Sequence, residues 1–230
     1  MVDPILSTNT AIIELAEQYA TVLISGGITK SGYFNSKPVV PCSDLLPWHN
    51  RENIDSGASG IVLFLIELYK QSANNRYLQL AGEIIDNILA YCRNNDTNNY
   101  SLYTGRAGVV YVLLEYWRLT QNDDLIKEAL SLIRPCNKGF LNSDHSSDYL
   151  YDGRAGTLLV LFCLYQFTKE SFLTGYIDQF VTAITGNMQS SADGFYWCAK
   201  GELAIRPSCS FAFGTAGIKY VFTQLRKYMP

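Results

Sequence analysis

The chain has 230 residues and a formal net charge of −3, with 48% hydrophobic and 17% charged residues. That balance excludes a disordered polypeptide, and without a basic stripe or run there is nothing for nucleic acid or an anionic membrane to hold. Met1-Val2-Asp3-Pro4 lacks the charged and apolar regions of a secretory leader. The apolar runs are far below the roughly 20 residues of a membrane span, so no membrane span is expected, and a cytoplasmic protein is.

Taken in chain order, Ile12, Ile13, Ala16, Tyr19, Ala20 and Leu23 recur at three- and four-residue spacing, the signature of an amphipathic helix. Next comes Gly57-Ala-Ser-Gly60, which opens the apolar run IVLFLIELY. An amphipathic pattern follows in Tyr77, Leu78, Ala81, Ile84, Ile85, Ile88 and Leu89. Gly105-Arg-Ala-Gly108 then opens VVYVLLEYW, followed by the pattern Leu125, Ile126, Ala129, Leu130, Ile133. Gly153-Arg-Ala-Gly156 opens TLLVLFCLY, followed by Phe172, Leu173, Tyr176, Ile177, Phe180, Val181, Ile184. Gly214-Thr-Ala-Gly217 opens IKYVFTQL. The first glycines are 48 residues apart twice (57 to 105, 105 to 153) and then 61 (153 to 214). A fixed period near fifty residues marks a repeat architecture whose units must stack to bury their faces.

Helices apolar nearly all round are covered on most sides, whereas amphipathic ones keep a wet face. The two kinds alternate. They predict an all-α protein, an α/α toroid of outer and inner helix pairs, incomplete at four hairpins, in one domain over residues 1–230. The glycines are expected to permit close approach and unusual φ where inner helices begin. Gathered inner-helix N-termini favour an anion or polarised carbonyl. The third interval is the longest. It carries Trp197, Cys198, Glu202 and Arg206 beyond the polar turn Ser190–Gly194, and an enlarged loop is a place for function.

The candidate site residues sit beside these phrases. Arg106 and Arg154 either bring positive charge to the helix starts, as substrate-binding groups, or cap loops by bonding backbone carbonyls. Tyr103 and Tyr151, each two residues before its glycine, either line a cavity mouth and bind substrate or pack between hairpins. Asp152 is a catalytic carboxylate or the N-cap of its helix. Asp148 is a catalytic or a solvated carboxylate. His145 is a general base or a solvated loop residue. Glu67 and Glu115, single charges in apolar helices, are expected to bond neighbouring hairpins. The six cysteines (42, 92, 136, 163, 198, 209) include no Cys-x-x-Cys, and free, buried thiols are expected.

The segments SLYTGRAGVVYVLLEYWRLT (101–120), YLYDGRAGTLLVLFCLYQFT (149–168), SFAFGTAGIKYVFTQL (210–225) and SGASGIVLFLIELYKQSANNRYL (56–78) resemble the lanthionine synthetase C-like family. That resemblance implies an α/α toroid of about seven helical hairpins. It also implies an activity: adding a peptide Cys thiol to dehydroalanine or dehydrobutyrine to form a thioether ring. The family's cyclases use zinc held by two cysteines and a histidine, which lowers the thiol pKa. This chain departs from the pattern. It has no Cys-His dipeptide, its only histidines are His49 and His145, and Phe213 stands where the family often carries His. No metal ligands are therefore assigned, and no cofactor is identified. Four hairpins imply the N-terminal part of such a ring: a fragment or early-terminated product of a longer protein, or a part completed by a second polypeptide or by a homodimer. The expected ligand is a peptide substrate or a partner protein. Two further readings stand beside the cyclase. One is a non-catalytic peptide- or partner-binding module on the same scaffold. The other is a glycoside-processing toroid using Asp148, Asp152, Asp193 and Glu202 with Tyr196 and Trp197.

Overall fold

A computed structural model describes residues 11–21, 52–143, 147–192, 194–198 and 208–228. The chain forms two compact units, one of residues 1–52 and 56–95, the other of 53–55 and 96–230.

In the first unit, α1 covers residues 11–21 and is tethered by the Tyr77 hydroxyl, which donates to Glu17 Oε1 at 3.4 Å. The apolar α2 (Ala58–Ser72) buries Val62, Leu65, Ile66 and Leu68 against α3 (Asn75–Asn94). The Asn74 side chain accepts the Arg76 N–H and so caps α3. The α3 stripe Tyr77, Ala81, Ile84, Ile85, Ile88, Leu89 and Cys92 is buried, as its three- and four-residue spacing predicts.

The second unit holds α4 (Arg106–Thr120), α5 (Asp124–Ile133), α6 (Arg154–Thr168), α7 (Ser171–Gly186) and α8 (Thr215–Tyr228). A 3₁₀ turn, Arg134–Asn137, carries Pro135 and follows α5. Helix α6 packs against α4, α5, α7 and α8. That surround explains its uniform apolarity: Leu158, Leu161 and Leu164 are fully buried, each contributing about 1.5–3 kcal/mol of burial. Helices α5 and α7 bury one stripe each and leave the rest wet.

The fold class is thus all-α, a succession of apolar–amphipathic hairpins, as expected. Several details differ from expectation. The polar stretch near 190 is a short antiparallel hairpin, β1 (Gln189–Ser191) with β2 (Gly194–Tyr196). Its turn uses Gly194 at φ 127°, a conformation open to glycine. Glu67 is exposed and pairs with Lys70 of its own helix at 2.6 Å. For Glu67 an i,i+3 partner is closer to hand than a neighbouring hairpin. Glu115 is buried, and Arg118, one turn on, is among its partners at 2.6 Å. Cys92 and Cys136 are buried thiols, Cys92 donating to Glu52 Oε2 at 2.9 Å, but Cys163 and Cys198 are half-buried and Cys209 is exposed. Cys42 lies outside the described residues. Among the described residues no helix is long and apolar enough to cross a membrane.

Candidate functional site

The loops that lead into α4, α6 and α8 repeat one construction. The N–H of Arg106, Arg154 and Thr215, the first residue of each helix, donates to the carbonyl of Asn99, Ser147 and Ser208 at 3.0, 3.0 and 2.9 Å. The side chains of those same three residues accept the N–H of Ser101, Tyr149 and Ser210, which are Asx- and Ser-type turns. Each loop therefore folds back tightly on its own helix start.

The glycines exist for space. The φ of Gly105 and Gly153 is −139° and −128°, ordinary extended backbone, so the expected unusual φ is absent. At Gly153 a Cβ would lie 2.5 Å from both the Ser147 carbonyl oxygen and the Tyr149 nitrogen. At Gly156 it would collide with the Leu150 carbonyl oxygen and lie 2.7 Å from Leu102 Cβ, a side chain of the preceding repeat. Gly108 and Gly217 meet Ile54 and Leu150 in the same register. The second glycine of these three phrases is the seat on which the previous loop rests.

A ladder of backbone bonds ties successive loops. Tyr151 N–H donates to Ala212 O at 3.0 Å, Tyr103 N–H to Tyr151 O at 3.1 Å, and Ile54 N–H to Tyr103 O at 3.0 Å. The rungs bring side chains together. The Tyr103 and Tyr151 rings stack with centroids 5.0 Å apart and planes 7° apart, and Tyr151 meets Phe213 at 4.6 Å. The Tyr151 hydroxyl donates to Asp55 Oδ2 at 2.5 Å. That bond to a carboxylate, with burial and the charges of Asp55 and Asp152, pushes the phenol pKa up to about 12. Phe213 is 46% exposed.

Asp152, exposed, accepts the Ser147 hydroxyl at 2.6 Å. It is not the N-cap of α6: that position is Gly153, with no side-chain cap bond. The Ser147 carbonyl has taken the N–H that a cap would serve. Asp148 is buried and not solvated. Its Oδ1 accepts from Arg154 at 3.0 Å and its Oδ2 from Asn187 Nδ2 at 2.8 Å. Arg154, only 3% exposed, also donates to the carbonyls of Leu141 and Ser143, each at 2.7 Å. It pins Leu141, Ser143 and Asp148 together, the carbonyl-capping reading of this residue. A fully desolvated guanidinium is affordable because its donors are so completely engaged. Arg106 is buried at the matching position. His145 lies outside the described residues, as do Asp193 and Glu202.

Sequence reasoning missed Asp55 and Asn187. Asp55 had a signal: it stands two residues before Gly57, the register of Tyr103 and Tyr151. Trp197, cast as a sugar platform, is instead buried. Its Nε1–H donates to Ile184 O at 2.7 Å and its ring stacks near Phe222, so it closes the end of α7.

Among the described residues no three His, Cys, Asp or Glu side chains converge on a point. Cys198 is half-buried and Cys209 exposed, and a zinc site needs three protein ligands at least.

Compared with known proteins, the chain matches no curated protein. A family model described as Lanthionine synthetase C-like protein matches residues 49–229.

Proposed function

This chain belongs to the lanthionine synthetase C-like family, and from that premise we propose that it holds a cysteine-bearing peptide at the loop end of α4, α6 and α8 for thioether ring formation. One observation carries the reading. The loop ladder presents stacked Tyr103 and Tyr151, partly exposed Phe213 and exposed Asp152 together at the helix starts. Aromatic rings supply rigid contact area for a peptide at low entropic cost.

In this reading the peptide's thiol loses its proton and the sulfur adds to the β-carbon of a dehydroalanine or dehydrobutyrine. The α-carbon then gains a proton, so the peptide keeps its atoms and its mass. His145, four residues before the aromatic Tyr149 in the same loop sequence, takes the thiol proton. Asp152 relays that same proton from the imidazolium to the α-carbon and ends as the carboxylate it began as. Asp148 and Arg154 hold the loop and act through it, as does Arg106 in its own repeat. No step runs through a metal. The protein works in the cytoplasm, where thiols stay reduced, within one domain over its length. Its peptide, or a complementing copy or chain, is its partner.

A second reading is favoured by the lack of a converging donor set among the described residues: a non-catalytic module that binds the peptide or a partner protein. One experiment separates the two. A peptide with one Cys and one dehydroalanine is incubated with the protein, and its remaining thiol is alkylated and weighed. Loss of alkylatable thiol at unchanged mass, slowed by Asp152→Asn, supports ring formation. Retained peptide with an intact thiol supports the module. A peptide that is neither retained nor cyclised overturns both.

A further inference from the structure

We propose that the stack of half-buried Tyr103 and Tyr151 with exposed Phe213, with Asp152 beside it, is a recognition site for the guanidinium of an arginine side chain in the bound peptide. The proposal rests on the peptide-binding reading only for what carries the arginine.

The argument starts from what this chain does elsewhere with the same groups. Arg118 lies over the Phe167 ring at 4.8 Å while donating to the Glu115 carboxylate at 2.6 Å. Arg134 lies over Phe172 at 4.1 Å. A planar guanidinium satisfies a ring face and a carboxylate at once. The loop end offers both halves of that arrangement. Tyr103 and Tyr151 are nearly parallel, 5.0 Å apart, and Phe213 extends the row. Among the described residues none of the three rings carries a cation. Asp152 follows Tyr151 in the chain, is exposed, and has the neutral Ser147 hydroxyl as its hydrogen-bond partner. Two carboxylates stand at the row: Asp55 accepts the Tyr151 hydroxyl, and Asp55 and Asp152 both favour the protonated phenol. An ammonium would satisfy the charge. The parallel rings favour the flat cation, which adds to the row as one more layer and presents two N–H groups to Asp152. The Asp55 bond fixes the Tyr151 ring, so little freedom is lost when the layer is added.

The test uses the whole chain and three blocked tripeptides, Ala-Arg-Ala, Ala-Lys-Ala and Ala-citrulline-Ala, followed by shifts of the tyrosine ring resonances. The arginine peptide is expected to shift Tyr103 and Tyr151 saturably, the lysine peptide more weakly, and citrulline, isosteric and uncharged, not at all. Asp152→Asn and Phe213→Ala, both at exposed positions, should each weaken the arginine peptide by about two- to fivefold. Equal binding of citrulline, no saturable shift with arginine, or unchanged affinity in both variants overturns the proposal. A protein that cyclises arginine-free peptides as fast as arginine-bearing ones keeps its proposed function and loses this site. One that binds the arginine tripeptide but neither retains nor cyclises the dehydroalanine peptide keeps the site and loses the function.

Discussion

Replacing Gly156 by alanine is the sharpest perturbation the fold offers. The new Cβ meets the Leu150 carbonyl oxygen within its van der Waals shell, Leu102 Cβ at 2.7 Å and Leu102 N at 3.3 Å. Two of those atoms are backbone, and the third belongs to a side chain only 7% exposed. None can swing away, so the start of α6 must lift off the loop before it. Overpacking of this kind costs roughly 1–3 kcal/mol. A second cost comes from stretching the 3.1 Å bond between Tyr103 N–H and Tyr151 O, about 1 kcal/mol for one hydrogen bond. The expected loss is therefore about 3 kcal/mol, or about 6–12 °C in Tm for a domain of this size. Gly175→Ala is the control. Gly175 lies within α7 with nothing within 4 Å of the added Cβ, so alanine should stabilise by about 0.5–1 kcal/mol. Thermal and urea unfolding of both variants checks the pair. If Gly156→Ala is as stable as wild type, the second glycine is not a seat for the neighbouring loop and the account of the repeat fails.

Three other outcomes are expected. Arg154→Met leaves Asp148 buried with Asn187 as its remaining named partner and should cost about 3–5 kcal/mol; urea unfolding within about 1 kcal/mol of wild type would contradict the pinning role. The Tyr151 phenol, raised to about 12 by its bond to Asp55, favours the neutral form in the folded state. Its stabilisation is complete below the ordinary phenol value of about 10 and is lost as pH rises toward about 12. Asp55→Asn should move one tyrosine's ionisation down toward the ordinary range by tyrosinate absorbance, and an unchanged curve would refute the pairing. Cys209, exposed, should be alkylated in the native protein. Cys136, whose thiol burial pushes up to about 12, should react only after unfolding, as mapped by peptide mass; early labelling of Cys136 would contradict its burial.

Much of the fold was legible because period and polarity are one-dimensional. The apolar run after Gly153 and the stripe from Leu173 to Ile184 predict a covered helix and a half-covered one, and α6 and α7 are those. The site was less legible because its groups meet across repeats. Tyr151 and Asp55 are 96 residues apart, and only their common place before a glycine connects them in sequence. Asp152 read as a cap because Asp before a helix commonly is one. The Ser147 carbonyl, seven residues before Arg154, fills that role by a fold-back that no local pattern announces. Asp148 read as a loop carboxylate because its partners, Arg154 and Asn187, come from the starts and ends of different helices.

The central claim is that peptide binds at the loop end, and hydrogen exchange with a cysteine- and dehydroalanine-bearing peptide tests it most directly. The account predicts slowed exchange in 99–106, 147–154 and 208–215, whose amides form the loop turns and rungs. Slowing confined to the wet faces of α5 and α7, with those loops unchanged, would contradict it.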